Sequence, residues 1–427
     1  MQNDDLKDER VYDQERGEQY LWRHARAMGI SRRRFMQWTA VGAGAVVLSG
    51  LPGAGVARRA LASHAGPVVK PVPPDLFYNY GSNFEMRFEV MADQGYLVPI
   101  ENFFVRNHTR TPHIDPSTYR LKIFGSGVRR EIELNYDEIL RMPMVTETKY
   151  VECAGNGRRF FGLEGGCGQR PGSQWYLGAV GVAEWTGVRL GEVLERAQLK
   201  RTAVDVMPAG LDPEFGADGH VRKPQPIPKA LDDTLLVVGM NGRTLPEDHG
   251  FPVRILTPGW VGINSIKWVG EIEVSDTPLF SAWNTKFYVL ENGDTVGCGP
   301  GFYPCPPPVV TEQNVKSAFE IAWPTGGVPA EIHAGRPITG RAWSPAAKIE
   351  TVEVSADGGA YRTADLKKPN IPKAWVRWSI DLDLPPGPHV LRCRATDDKG
   401  NTQPDGVPCN RQGYLYNAVV NHPVTVV

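Results

Sequence analysis

The chain has 427 residues, 41% of them hydrophobic and 22% charged, with a formal net charge of −1. That length suits two or three domains with cores of their own, and the near-neutral balance gives no reason to expect nucleic acid as a partner. Six cysteines are too few for a disulfide scaffold, while 46 glycines and 36 prolines favour a β-rich or α+β protein over a helix bundle.

In chain order, residues 1–30 are polar, and Ser31-Arg32-Arg33-Arg34-Phe35-Met36 then forms a twin-arginine pattern. It opens into an uncharged run over 35–57 that five glycines keep only mildly apolar, and Ala60-Leu61-Ala62 has the shape of a signal peptidase site. Residues 1–62 are therefore expected to be a Tat signal peptide that takes a folded protein through the Tat translocon to the periplasm or another extracytoplasmic space. A proline-rich linker is expected over 63–82. From 83 to 312 short apolar runs alternate with turn signals. Strands are expected at 121–124, 235–238 and 253–256, with a short helix at 190–197, which makes this an α+β domain. The Gly- and Pro-rich stretch 292–310 reads as a long crossing connection. Beyond it, alternating runs at 338–343, 349–355, 376–382 and 389–396, separated by Gly-containing turns, predict an all-β sandwich over 313–427. The pairs Cys298/Cys305 and Cys393/Cys409 are candidate disulfides, with free thiols as the alternative.

The most informative segment is Val151-Glu152-Cys153-Ala154-Gly155-Asn156-Gly157-Arg158-Arg159. Small residues after Cys153 leave room for a bulky group near its sulfur, and the two arginines supply the positive potential that favours a thiolate. Thiolates bind soft or high-valent metals, and guanidinium groups recognise oxyanions through forked hydrogen bonds. No Cys or His stands at zinc-like spacing. From the residues alone Cys153 is open to three readings: a structural cysteine in a Gly-rich turn, a thiol nucleophile, or the single protein ligand to a metal carried by a cofactor.

Cys-Ala-Gly-Asn-x-Arg-Arg resembles the molybdenum-ligating motif of the sulfite oxidase family, and further resemblances follow in order. They comprise Phe103-Phe104-Val105-Arg106-Asn107-His108, Trp175 through Leu190, Met240 through Arg254 and Pro258 through Trp268. Val315-Lys316-Ser317, Ala342-Trp343-Ser344, Asp357-Gly358-Gly359 and Gln403-Pro404 are similar to that family's dimerisation domain. One position departs: Gly157 stands where an arginine is common.

The resemblance implies a sulfite-oxidase-type molybdopterin-binding domain followed by an immunoglobulin-like β-sandwich, a molybdenum–molybdopterin cofactor, and a homodimer. It makes Cys153 the metal ligand, and Arg106, Arg158 and Tyr288 the catalytic groups. Substrate would meet Arg106, Arg158, Tyr288, an apolar wall at Trp175, and Arg377 from the second domain. Phe104, Val105, Arg106, Asn107, His108, Asp212, His249, Arg254, Ser265, Ile266 and Lys267 would hold the pterin. The expected reaction oxidises sulfite, or a related small sulfur oxyanion, to its oxygenated product. The sequence contains no Cys-x-x-Cys-His, so no haem is expected in this chain and electrons would pass to a separate acceptor such as cytochrome c. The alternatives are a sulfane dehydrogenase subunit, a methionine sulfoxide reductase of the same superfamily, and, in a different class, a cofactor-free exported binding module.

Overall fold

A computed structural model of the protein describes residues 67–92, 94–214, 219–290, 309–324 and 326–427. The twin-arginine segment and the Cys298/Cys305 pair lie outside these residues.

Two mainly antiparallel sheets build the first domain. One runs in the order Arg243–Thr244, Leu235–Met240, Val180–Arg189, Val145–Glu152, with Arg254–Leu256 also paired to Leu235–Met240. Leu235–Met240 is buried at every position, as its unbroken apolar sequence requires of a central strand. The other sheet runs Ile132–Asn135, Arg120–Phe124, Val269–Ser275, Asp205–Gly210, Gln225–Pro226, with one parallel pairing between Arg120–Phe124 and Val269–Ser275. Helices are short, and two begin with a capping box. At Tyr136–Leu140, Asn135 Oδ1 accepts from the Glu138 amide at 2.9 Å while the Asn135 amide donates to Glu138 Oε2 at 2.8 Å. The strands expected at 121–124, 235–238 and 253–256 and the helix expected at 190–197 are present within one or two residues.

Residues 67–82, expected as the end of a linker, pack into this domain instead. Phe77–Asn79 pairs with Phe84–Met86, and Phe77, Phe84 and Val105 form a small core. The Val69 and Lys70 amides donate to the Asp248 carboxylate at 2.9 Å and 2.7 Å.

The second domain is the expected sandwich. One sheet contains Lys316–Phe319, Ile338–Trp343, Trp375–Ile380 and Asp365–Lys367. The other contains Ala330–Ile332, His422–Val426, Gly387–Asp397, Ile349–Ala356 and Arg362–Thr363. Their inner faces enclose one core that includes Val352, Val354, Trp378, Leu391 and Val424.

The two domains are joined by buried polar contacts as well as apolar ones. Arg341, with no exposed surface, pairs with Glu320 at 2.6 Å and donates to the Met91 and Gly95 carbonyls at 3.0 Å each. Residues 404–420 then return from the sandwich to the first domain. This strap is fixed by a disulfide between Cys409 and Cys167, which corrects the Cys393/Cys409 expectation. Cys393 faces the sandwich interior from strand Gly387–Asp397, where the Ser317 hydroxyl donates to its sulfur at 3.3 Å. Cys409 lies beyond the sheet and reaches the loop after helix Arg158–Leu163.

Candidate active site

Strand Val145–Glu152 ends one residue before Cys153, and the turn that follows is held from both sides. The Cys153 amide donates to the Ala179 carbonyl at 2.9 Å, and the Cys153 carbonyl accepts from the Asn156 amide at 3.0 Å. Asn156 is buried; its Nδ2 donates to Glu152 Oε1 at 2.9 Å and its Oδ1 accepts from the Ala179 amide at 3.0 Å. Gly157 stands at φ +94°, the left-handed region that favours glycine, and a Cβ there would sit 3.1 Å from the Tyr416 side chain. The departure from arginine at this position thus has a conformational reason.

Cys153 is 8% exposed and lines a cavity. Phe104, Arg106, Asn107, His108, Asp212, His249, Arg254, Ser265, Ile266, Lys267 and Tyr288 line it together with Cys153, although they span 185 residues of sequence from Phe104 to Tyr288.

Four of the expected residues are elsewhere. Val105 belongs to the Phe77/Phe84 core, where it forms an isolated bridge with Phe84, while its neighbours Phe104 and Arg106 line the cavity. Trp175 is buried edge-to-face against Tyr80, with ring centroids 5.2 Å apart. Arg377 sits on strand Trp375–Ile380 opposite Arg341, inside the second domain's sheet. Arg158 is 1% exposed and points into protein: Nε donates to the Gln412 carbonyl at 3.0 Å and Nη1 to the Ser173 carbonyl at 3.1 Å. Its guanidinium lies so close to Gly155 that a Cβ there would approach Nη2 to 2.6 Å. Conversely, Phe103, Val151, Ala154, Val221, Gly262, Ile263 and Trp268 line the cavity without having been singled out as site residues. Each lies within three residues of one that was, except Val221, which stands nine residues after Asp212.

The electrostatics of the cavity are one-sided. Arg254 Nη1 and Nη2 donate to the His249 and Ser265 carbonyls at 2.9 Å and 3.0 Å, and its guanidinium lies 4.9 Å from the Trp185 ring centroid. Lys267 Nζ donates to the Asp248 carbonyl at 2.8 Å and to Asn107 Oδ1. Burial brings Arg254 down to about 9; burial, with Arg254 beside it, holds the Lys267 amine well below its ordinary value. Burial and the charges of Lys70, Lys267 and Arg254 keep His249 neutral, and its Nε2 has no hydrogen-bond partner among the described residues. Cations crowded this way, with an unused imidazole nitrogen among them, form a receptor for an anionic, hydrogen-bonding ligand.

Tyr288 occupies the left-handed region at φ +55°, and its hydroxyl lies 3.3 Å from His108 Nε2. Among the described residues no group of three His, Cys, Asp or Glu side chains could hold a metal ion. A metal at Cys153 would therefore have to arrive with most of its ligands, as one bound to an organic cofactor does.

Comparisons with known proteins agree with this arrangement. Residues 108–283 match the oxidoreductase molybdopterin binding domain, and residues 308–426 match the Mo-co oxidoreductase dimerisation domain. The chain is 35% identical over 348 residues to mitochondrial sulfite oxidase of Macaca fascicularis, which spans 77% of this chain and 61% of that protein. It is 33% identical over 363 residues to sulfite oxidase of Gallus gallus, spanning 79% of this chain and 74% of that protein. The crystal structure of the sulfane dehydrogenase SoxCD from Paracoccus pantotrophus superposes with a TM-score of 0.69 at 26% identity, covering 87% of this chain and 90% of that one. The chain thus spans about three fifths of the mammalian relative's length.

Proposed function

Because the chain belongs to the sulfite oxidase family of molybdopterin oxidoreductases, we propose that it oxidises sulfite to sulfate, with Cys153 as the protein's ligand to the metal. The observation that carries this reading is that Cys153 lines a cavity together with Arg106, Arg254 and Lys267, with Asp212 the carboxylate among the lining residues.

The residues fit a molybdenum–pterin cofactor. Arg254, Lys267, His249, Asn107 and Ser265 offer the donors that a phosphate and a polar ring system need, and His249 Nε2 is available to it. The bound cofactor would supply a metal able to accept two electrons and exchange one oxygen atom. The protein's own contribution is positional. Cys153, fixed at both its amide and its carbonyl, would hold the metal in one place within a largely dry wall. Arg106 would bind the substrate dianion; an arginine–oxyanion hydrogen bond contributes about 1.5–3 kcal/mol in a shielded site. The Tyr288 hydroxyl, next to His108, would donate to a substrate oxygen and orient it. In the net reaction sulfite gains one oxygen from water, and two electrons and two protons leave.

Those electrons pass to a separate acceptor, for which a cytochrome c suits a chain with no haem-attachment motif. The protein would be a homodimer formed through the second domain. It would be exported by the Tat route, and a disulfide between Cys167 and Cys409 is at home in an oxidising compartment.

A second reading, a sulfane dehydrogenase subunit, is supported by the superposition that covers 90% of the SoxCD chain. Molybdenum-replete protein assayed side by side with sulfite, thiosulfate and methionine sulfoxide separates these readings. Sulfite-dependent reduction of ferricyanide supports the first. An absence of molybdenum, in protein made where Tat export and pterin synthesis both work, defeats every enzymatic reading.

A further inference from the structure

The strap at 404–420 brings a tyrosine from the far end of the chain against the candidate site. Tyr414 is 2% exposed, and its ring stacks on that of Tyr288, with centroids 5.0 Å apart and planes within 8°. The ring also meets a cation: the Arg158 guanidinium carbon lies 5.2 Å from the Tyr414 centroid. We propose that Tyr414 is a positioning residue that fixes the ring plane of Tyr288, so that the second domain completes the first domain's site. This rests on the sulfur-oxidising reading for its kinetic consequence, and on the stack alone for its structural one.

Two observations make the arrangement more than ordinary packing. Tyr288 is held at φ +55°, a conformation that aromatic residues rarely adopt and that neighbouring contacts must enforce. Its hydroxyl is 3.3 Å from His108 Nε2, a long separation for a hydroxyl donor, so that bond alone fixes its direction weakly. The stack adds a constraint on the ring plane.

The strap itself is built to hold Tyr414 still. Asn410 brackets it: Nδ2 donates to the Tyr414 carbonyl at 2.8 Å and Oδ1 accepts from the Tyr414 amide at 2.9 Å. The next residue, Leu415, donates its amide to the carbonyl of Ala154, the neighbour of Cys153, at 2.9 Å. Gln412 accepts from Arg158, and Gly413 lies so tightly on Arg158 and Arg170 that a Cβ would come within 2.8 Å and 2.7 Å of them. The Cys167–Cys409 disulfide anchors the upstream end. Arg158, expected to bind substrate, would therefore act through the strap.

The test compares Tyr414→Leu and Tyr414→Phe in full-length, molybdenum-loaded protein. Tyr414→Leu should raise KM for sulfite about tenfold with a smaller change in kcat, and Tyr414→Phe, which keeps the ring, should recover most of that loss. A parallel arm needs no turnover: nitration of Tyr288 by tetranitromethane, followed by peptide mapping in cofactor-free protein. Tyr414→Leu should speed it severalfold, and Tyr414→Phe should not. Wild type with the disulfide reduced, its two thiols verified by mass, should also nitrate faster at Tyr288, which covers the case of a leucine variant that does not fold. Unchanged KM in Tyr414→Leu, a phenylalanine variant as impaired as the leucine one, or unchanged nitration of Tyr288 in both Tyr414→Leu and the reduced protein overturns the proposal. Wild type inactive on every sulfur substrate defeats the functional reading, while the nitration arm still decides this one.

Discussion

The Lys316 ammonium lies 2.7 Å from Glu152 Oε1, across the boundary between the two domains and one residue before Cys153. Both side chains are at most 1% exposed, and the carboxylate also accepts from Trp343 Nε1 at 2.9 Å. Removing one partner leaves the other charge buried and uncompensated, which costs about 3–5 kcal/mol. Lys316→Met should lower unfolding stability by that order. The Glu152→Gln/Lys316→Met double variant should lose less than the sum of the single losses, because the two sites are in direct contact. Denaturant unfolding of the three variants measures this, and simple additivity would show that the pair is not coupled.

Cys153→Ser should abolish sulfite-dependent reduction of ferricyanide while the protein still copurifies with pterin. The donors proposed for the ring system and phosphate are other side chains, so pterin fluorescence after denaturation should persist. Substantial remaining turnover would remove Cys153 as the metal ligand.

Cofactor retention should weaken as pH rises. Burial and Arg254 hold the Lys267 amine well below its ordinary value, and a bound anion favours its protonated form. Loading therefore takes up a proton, and linkage makes affinity greater on the acid side. Pterin retained after gel filtration at pH 6 and at pH 9 should differ in that direction, and Lys267→Met should flatten the difference.

Stability of the polypeptide itself should rise from neutral to alkaline pH. Burial lowers Lys223 from 10.5 to about 7, with its Nζ donating to Asn264 Oδ1 at 2.9 Å and the Val310 carbonyl at 2.8 Å. The unfolded chain keeps this proton up to about pH 10.5 while the folded chain releases it near 7. Between those values the unfolded state binds more protons, so stability climbs with pH. Lys70, lowered to about 7 mainly by burial, contributes with the same sign. Lys223→Met should remove part of the climb, seen as a smaller shift in denaturation midpoint between pH 7 and pH 9.5.

Local signals carried much of this protein. Leu235–Met240 reads as a buried strand because every residue but one is a large hydrophobe, and Gly387–Asp397 shows its alternation directly in Leu391 to Ala395. Arg254, Lys267, His249 and Asp212 were identifiable from their resemblance to a family's motifs, and they do converge. What sequence concealed depends on remote segments meeting. Arg158 stands five residues after Cys153, yet the glycine at 157 starts a helix in a direction that sends its guanidinium to the strap. Cys409 pairs with Cys167, 242 residues away, and no spacing rule reaches that far. Tyr414 belongs to no motif at all; only the return of 404–420 gives it a neighbour in Tyr288.

That return also sets an order of events during synthesis. A ribosome has made 413 residues before Tyr414 exists. Until then Tyr288 lacks the ring that stacks on it and the Ala154 carbonyl lacks the Leu415 amide, however well the first domain's two sheets have assembled. An unfinished chain would thus hold Tyr288 without its ring partner, and the Cys167–Cys409 bond would secure that partner only once residues 404–420 have been made.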